Sequence, residues 1–254
     1  MRTEILYEDK SIMVVRKPAG LAVQSAGIGQ PDVVSELKSY LAKFPGAGRP
    51  GKGEPYLGIV HRLDQPVEGL LVFAKDKKAA AALSKQLTEG ALNKHYYAVL
   101  CGYPDCPEGD LVDYLRKEGN VAVAVTGREQ EFADAKIAAL HYRILEEIND
   151  PSPLALADVT IGTGRFHQIR VQFAHAGFPL FGDTKYGTAA LNEAMPAQKY
   201  RGVALCAYSL ELVHPVSGKK MGFRVVPKNP AFTGFAMEEL KKLTENETGI
   251  SKRG

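Results

Sequence analysis

Leu57-Gly58-Ile59-Val60-His61-Arg62-Leu63-Asp64-Gln65-Pro66-Val67-Glu68-Gly69-Leu70-Leu71-Val72-Phe73-Ala74-Lys75 reads as two apolar runs on either side of a polar turn. Leu57–Val60 and Leu70–Ala74 suit buried strands, and Pro66 and Gly69 break the chain between them. Asp64 stands at the end of the first run. A strand end fixes a side chain while the following loop exposes it, which is a favourable place for a catalytic carboxylate. The same aspartate also suits an Asx-type turn, with Arg62 as a surface cation.

Towards the N-terminus, Glu4–Glu8 and Ser11–Arg16 are β-rich runs joined by Asp9-Lys10, and Lys17-Pro18-Ala19-Gly20 is a breaker. Val33, Leu37, Tyr40, Leu41 and Phe44 recur at helical spacing, which predicts an amphipathic helix over 32–44. Residues 45–56, rich in Gly and Pro and carrying Arg49 and Lys52, read as a flexible basic loop. Towards the C-terminus, Asp76 is an N-cap for a helix to about Glu89, with Gly90 as its stop. Lys94–Gly102 is β-rich. Residues 103–135 read as an excursion with one short strand, Val121–Val125. Ile137–Leu145 and Leu154–Ile161 follow as antiparallel strands. A helix is expected over Arg165–Ala176, then a hairpin of Leu205–Val213 and Met221–Val226, then a last helix over Ala231–Leu243. Many strands with scattered helices predict an α+β fold, with a mixed, mostly antiparallel central sheet flanked by helices and loops. The domain expectation is a single unit over 1–245 with a flexible tail over 246–254.

The chain has 254 residues, 45% apolar and 24% charged, which fits a globular protein and excludes wholesale disorder and fibrous repeats. Three cysteines, Cys101, Cys106 and Cys206, argue against a secreted disulfide framework. The first residues carry Glu4, Glu8 and Asp9 where a signal peptide would be apolar, and no run approaches the length of a membrane span. A soluble, cytoplasmic protein is expected. The net charge of +3 leans weakly towards an anionic partner. Between Pro151 and Pro230 nine basic residues face four acidic ones, which concentrates that lean or marks a solvated basic face.

Gly164-Arg165-Phe166-His167-Gln168-Ile169-Arg170 offers a Gly-led helix start whose backbone N–H groups could meet a phosphate. His167 and His175 have no Cys or carboxylate at ligand spacing, and Cys101-x4-Cys106 lacks a second pair, so no metal is expected. Neither a phosphate-binding Gly-rich loop in strand–turn–helix context nor a Gly-x-Ser-x-Gly elbow is present.

His61-Arg62-Leu63-Asp64 followed by Gly69–Lys75 resembles the signature of the RluA-type pseudouridine synthases. So does Gly164-Arg165-x-His167-Gln168-Ile169-Arg170-Val171, continuing through Ala174-His175, Gly177, Pro179 and Gly182-Asp183 to Tyr186-Gly187. Lys17-Pro18-Ala19-Gly20 and Lys94-x-Tyr96 match the family's N-terminal and central motifs, and the four lie in the family's order. The resemblance implies the pseudouridine synthase fold, with a cleft across the sheet and no cofactor; some members carry an N-terminal S4 domain, and none is expected here. The implied activity is isomerisation of uridine to pseudouridine in structured ribosomal or transfer RNA by a monomer.

By the same resemblance Asp64 is the catalytic carboxylate and Tyr96 the active-site tyrosine, able to stack on uracil. Arg170 is its companion arginine, with Arg165 as second choice. Burial raises a carboxyl pKa and a neighbouring arginine lowers it, so a buried Asp64 needs such a cation to stay ionised. Arg62 is placed to fill the space left by the flipped uridine or to hold a phosphate. His61, His167 and Gln168 are further substrate-binding candidates on these motifs. Lys17, Arg49, Lys52 and Lys185 are candidates to track the RNA backbone. Val67-Glu68 stand where the family usually has Thr-Ser. Two other readings compete: a catalytically silent RNA-binding factor on the same scaffold, and a hydrolase of small glycosides using Asp64 with Glu68.

Overall fold

The computed structural model describes residues 1–25, 27, 29–43, 54–126, 134–149, 152–187 and 202–236. The basic residues Arg49 and Lys52, most of the expected last helix and the expected tail lie outside these. The chain divides into two compact units, one of Met1–Lys94 with Ala207–Val225, the other of His95–Cys206 with Val226–Gly254. The fold is α+β and its strands pair mostly in antiparallel fashion.

The first unit is built on two strands that sequence reading picks out for their apolar content. β1 (Glu4–Glu8) pairs with β2 (Ile12–Lys17), and β2 pairs with β4 (Glu68–Ala74). Every residue of β2 and β4 is buried. A strand covered on both faces reads as an unbroken apolar run, as Ile12–Val15 and Leu70–Ala74 do. β3 (Gly58–Ile59) adds to β4 and is shorter than the sequence suggests. β10 (Leu205–Val213) enters this unit at Ala207, lies beside β4, and forms a hairpin with β11 (Lys220–Arg224). Gly69 is required here: its φ is +131°, and a Cβ would come within 2.5 Å of the Ala207 backbone.

Two helices cover this unit. α1 (Val33–Lys43) is capped by Asp32, whose Oδ1 accepts from the Ser35 N–H at 2.7 Å, and it buries Val33, Val34 and Leu37. α2 (Lys77–Thr88) is capped by Asp76, which accepts from the Ala79 N–H, and it ends before Gly90 at φ +71°.

The second unit is an antiparallel run in the order β5-β9-β8-β6-β7. Its strands are β5 (Asn93–Cys101, whose first two residues belong to the first unit), β6 (Glu108–Glu118), β7 (Val121–Val125), β8 (Lys136–Asn149) and β9 (Pro153–Ile161). Within the expected excursion, β6 and β7 therefore form a hairpin. β6 escapes sequence reading because its charges interrupt the pattern, but it is paired on both edges, by β7 and β8.

α3 (Gln168–His175) packs against β6 and β7, where Leu115, Ala122, Ala138 and Val171 form a small core. It starts three residues later than the sequence suggests. His167 has φ +53°, a left-handed conformation that a helix cannot include, so Gly164–His167 form a loop. Arg165 is accordingly outside the helix. Pro230–Phe232 form a short 3-10 turn at the start of the expected last helix.

Candidate active site

Asp64 lies half-buried where the chain leaves β3 and turns back into β4. The turn is pinned by backbone bonds. The Val67 N–H donates to the Asp64 carbonyl at 3.1 Å, and the Gly20 N–H donates to the Gln65 carbonyl at 2.8 Å. Lys17 adds a third tie. Its ammonium donates to the carbonyls of Pro18, Leu21 and Gln65 at 2.8–3.0 Å, and the residue has no exposed surface. Burial pulls the Lys17 ammonium down to about 7, with the charges of Asp64 and Glu68 opposing that shift. The expectation that Lys17 tracks an RNA backbone is corrected here. An ammonium enclosed by three carbonyls is a brace for the Asp64 turn and does not reach a phosphate.

His61 is buried as well. Its Nε2 accepts from the Val72 N–H at 3.4 Å, taking over from β3, whose last residue pairs one position further along β4. Burial, helped by the charge of Lys94, holds the imidazole down at about 3, so it stays neutral. It braces β4, and its Nδ1 has no hydrogen-bond partner among the described residues. Arg62, between these buried neighbours, is exposed, and its Nη2 lies 3.4 Å from the Gln24 side-chain oxygen. Glu68, in place of the family's usual serine, is buried and ion-paired with Arg16 at 3.7 Å. That partner, and its place on β4, leave no observation favouring a glycosidase role beside Asp64.

Tyr96 and Arg170 belong to the second unit. Tyr96, Val159 and Tyr142 are successive cross-strand partners, so they share one face of the sheet. The Tyr142 ring meets Phe173 of α3 edge-on, with centroids 5.6 Å apart. Tyr96 and α3 therefore occupy the same face. The Tyr96 ring is only 5% exposed.

Arg170 forms a bidentate pair with Asp183: Nε donates to Oδ2 at 2.7 Å and Nη2 to Oδ1 at 2.8 Å. The side chains are 5% and 0% exposed. Asp183 also accepts from the backbone N–H groups of Lys185 and Tyr186 at 3.0 and 3.2 Å. Gly182, at φ +75°, makes this loop possible, since a Cβ would come within 2.4 Å of the Gly202 carbonyl oxygen. The Tyr186 ring lies 5.1 Å from the Arg170 guanidinium carbon. Its hydroxyl accepts from the Ala122 N–H at 2.8 Å and sits 2.7 Å from His167 Nδ1. Asp183 and Tyr186 carry no assigned role in the sequence reading. Their motif Gly182-Asp183-x-x-Tyr186-Gly187 was legible, but its function as the cradle of Arg170 was not.

The remaining candidates are also placed. Gln168 is 4% exposed. Its Oε1 accepts from Thr163 Oγ1 and the Arg165 N–H, and its Nε2 donates to the Ala139 carbonyl at 3.0 Å. It clamps the loop before α3. Arg165 Nε donates to the Ile137 carbonyl at 2.9 Å, and exposed Lys185 donates to the Asn120 carbonyl at 2.7 Å. Among the described residues no group of three or more His, Cys, Asp or Glu side chains is arranged to hold a metal. No described helix is long and apolar enough to cross a membrane.

A family model described as RNA pseudouridylate synthase matches residues 11–175, more than half of the chain and including Lys17, Asp64, Tyr96 and Arg170. The chain belongs to that family. Its relatives place it with the RluA type. It is 38% identical over 226 residues to an uncharacterised RNA pseudouridine synthase of Synechocystis, covering 85% of this chain and 63% of the relative. It is 34% identical over 227 residues to ribosomal large subunit pseudouridine synthase D of Zymomonas mobilis, covering 87% and 68%. The chain thus spans about two thirds of the length of these relatives. In fold it is similar to human RNA pseudouridylate synthase domain containing 1, with a TM-score of 0.70 at 19% identity over 96% of this chain and 94% of the other.

Proposed function

We propose that this family member isomerises uridine to pseudouridine in RNA, with Asp64 as the catalytic carboxylate. The bond between uracil N1 and ribose C1′ breaks, C5 bonds to C1′, the C5 hydrogen leaves as a proton, and N1 gains one. No electrons are exchanged and no group is carried in, so the chain's own side chains suffice. The reaction needs a negative oxygen at C1′ as the base detaches, a demand shared with glycoside chemistry.

The observation that carries this reading is Asp64 itself. It is half-buried, at a turn held through the Asp64 and Gln65 carbonyls, inside the motif that the family model covers. Tyr96 and Arg170 are proposed as the other catalytic residues from the motifs in which they stand. Arg62, the exposed cation two positions before Asp64, is proposed to contact the flipped nucleotide or its phosphate. Ribosomal RNA of the large subunit is the proposed substrate, on the names of relatives such as the Zymomonas enzyme. A cytoplasmic monomer is the proposed state.

The test is tritium release from RNA labelled at uridine C5. The wild-type chain is expected to release tritium, and Asp64→Asn to bind RNA while releasing none. Turnover by Asp64→Asn at the wild-type rate would remove the carboxylate from the mechanism.

A further inference from the structure

Phe166 is a large apolar side chain left 41% exposed in the loop before α3. It is stacked on its own neighbour: the Phe166 and His167 rings lie 3.8 Å apart at 22°. Consecutive side chains seldom lie face to face, and here the backbone is bent to bring them together. His167, at φ +53°, is the one non-glycine residue with positive φ among the described residues. Such a conformation costs of order 1–3 kcal/mol and persists only where surrounding contacts enforce it. Those contacts are present. Tyr186 holds His167 Nδ1 at 2.7 Å and meets its ring edge-on at 5.6 Å. The Phe166 ring is thus backed by a rigid stack.

The surroundings of Phe166 are cationic. The Lys117 ammonium lies 5.0 Å from the ring centroid, on an exposed and flexible side chain. Arg165 reaches the start of β8, where Lys136 precedes Ile137, itself 47% exposed. Glu118, next to Lys117, is occupied by Arg116. An exposed ring on a fixed backing, beside cations, suits a nucleobase with its phosphates. A protein partner would call for a wider apolar patch.

We propose that Phe166, in the loop before α3, is a stacking platform for an RNA base. In the bound state Lys117 swings from the ring to a phosphate, and Arg165 and Lys136 track the adjoining backbone. The proposal rests on the reading of the chain as an RNA-modifying enzyme and adds to it a second point of RNA contact.

The chain has no tryptophan, so Phe166→Trp places its one tryptophan at the platform, where it can be excited apart from the tyrosines. Deproteinised large-subunit ribosomal RNA is expected to quench it, whereas inorganic polyphosphate, which has charge but no bases, is not. Phe166→Ala is expected to weaken binding of the same RNA roughly 5- to 100-fold, with Phe166→Tyr close to wild type. Lys117→Ala should lower the slope of log affinity against log salt by about one. Equal quenching by polyphosphate, or RNA binding by Phe166→Trp with no quenching, would overturn the platform, as would undiminished affinity in Phe166→Ala. A wild-type chain that binds no RNA would instead refute the functional reading on which the proposal rests.

Discussion

Arg170 is held by Asp183 through two short bonds, both side chains buried, which fixes the plane of its guanidinium. Removing one member of a buried ion pair leaves the other uncompensated and typically costs about 3–5 kcal/mol. Asp183→Asn is therefore expected to lower stability by about that amount, read from urea unfolding of the variant against wild type. A change below about 1 kcal/mol would mean that the pair is not the constraint inferred here. His61 sets a pH dependence. Its folded-state pKa of about 3 lies below the ordinary value of 6.5, so the unfolded chain binds the extra proton first. Its contribution is fully present above about pH 6.5 and is lost as pH falls towards 3. The urea midpoint should fall over that interval more steeply in wild type than in His61→Gln, whose amide oxygen can still accept from Val72. Parallel curves would show that His61 is not held neutral by burial.

The turn between β3 and β4 is the element on which the site depends, and Gly69, at the start of β4, is the least replaceable residue beside it. Gly69→Ala combines a positive φ with a backbone approach of 2.5 Å, and it is expected to destabilise the fold by more than about 2 kcal/mol. Thermal unfolding within a degree or two of wild type would refute that. The elements with local signals were legible in the sequence: β2 and β4 by their apolar runs, and α2 by Asp76 and Gly90. β6 was not legible, because a charged strand is stabilised by its two neighbours and not by its own composition. Nor was the true start of α3, which depends on Gln168 clamping Thr163 and Arg165 and on Tyr186 holding His167. Lys17 was legible as a motif residue but misread in role. A sequence shows a side chain's type, whereas the three carbonyls around the Lys17 ammonium come together only in the fold.

At the scale of the whole molecule, the family's motifs are divided between the two compact units, with Lys17, Asp64 and Glu68 in the first and Tyr96, Arg170 and Asp183 in the second. Several motif residues outside the proposed catalytic set act as braces. Lys75, for example, is paired with Glu8 at 2.6 Å at the far end of β4 from the Asp64 turn. The motif pattern therefore records how a few reactive groups are held as much as which groups react. The central claim is that the chain makes pseudouridine and needs Asp64 to do so. Its most direct test is carbodiimide mapping of pseudouridine in total RNA from cells lacking the chain, complemented with wild type or with Asp64→Asn. At least one ribosomal RNA site should disappear in its absence, return with wild type and stay absent with Asp64→Asn. An unchanged map, or a site restored by Asp64→Asn, would contradict the claim.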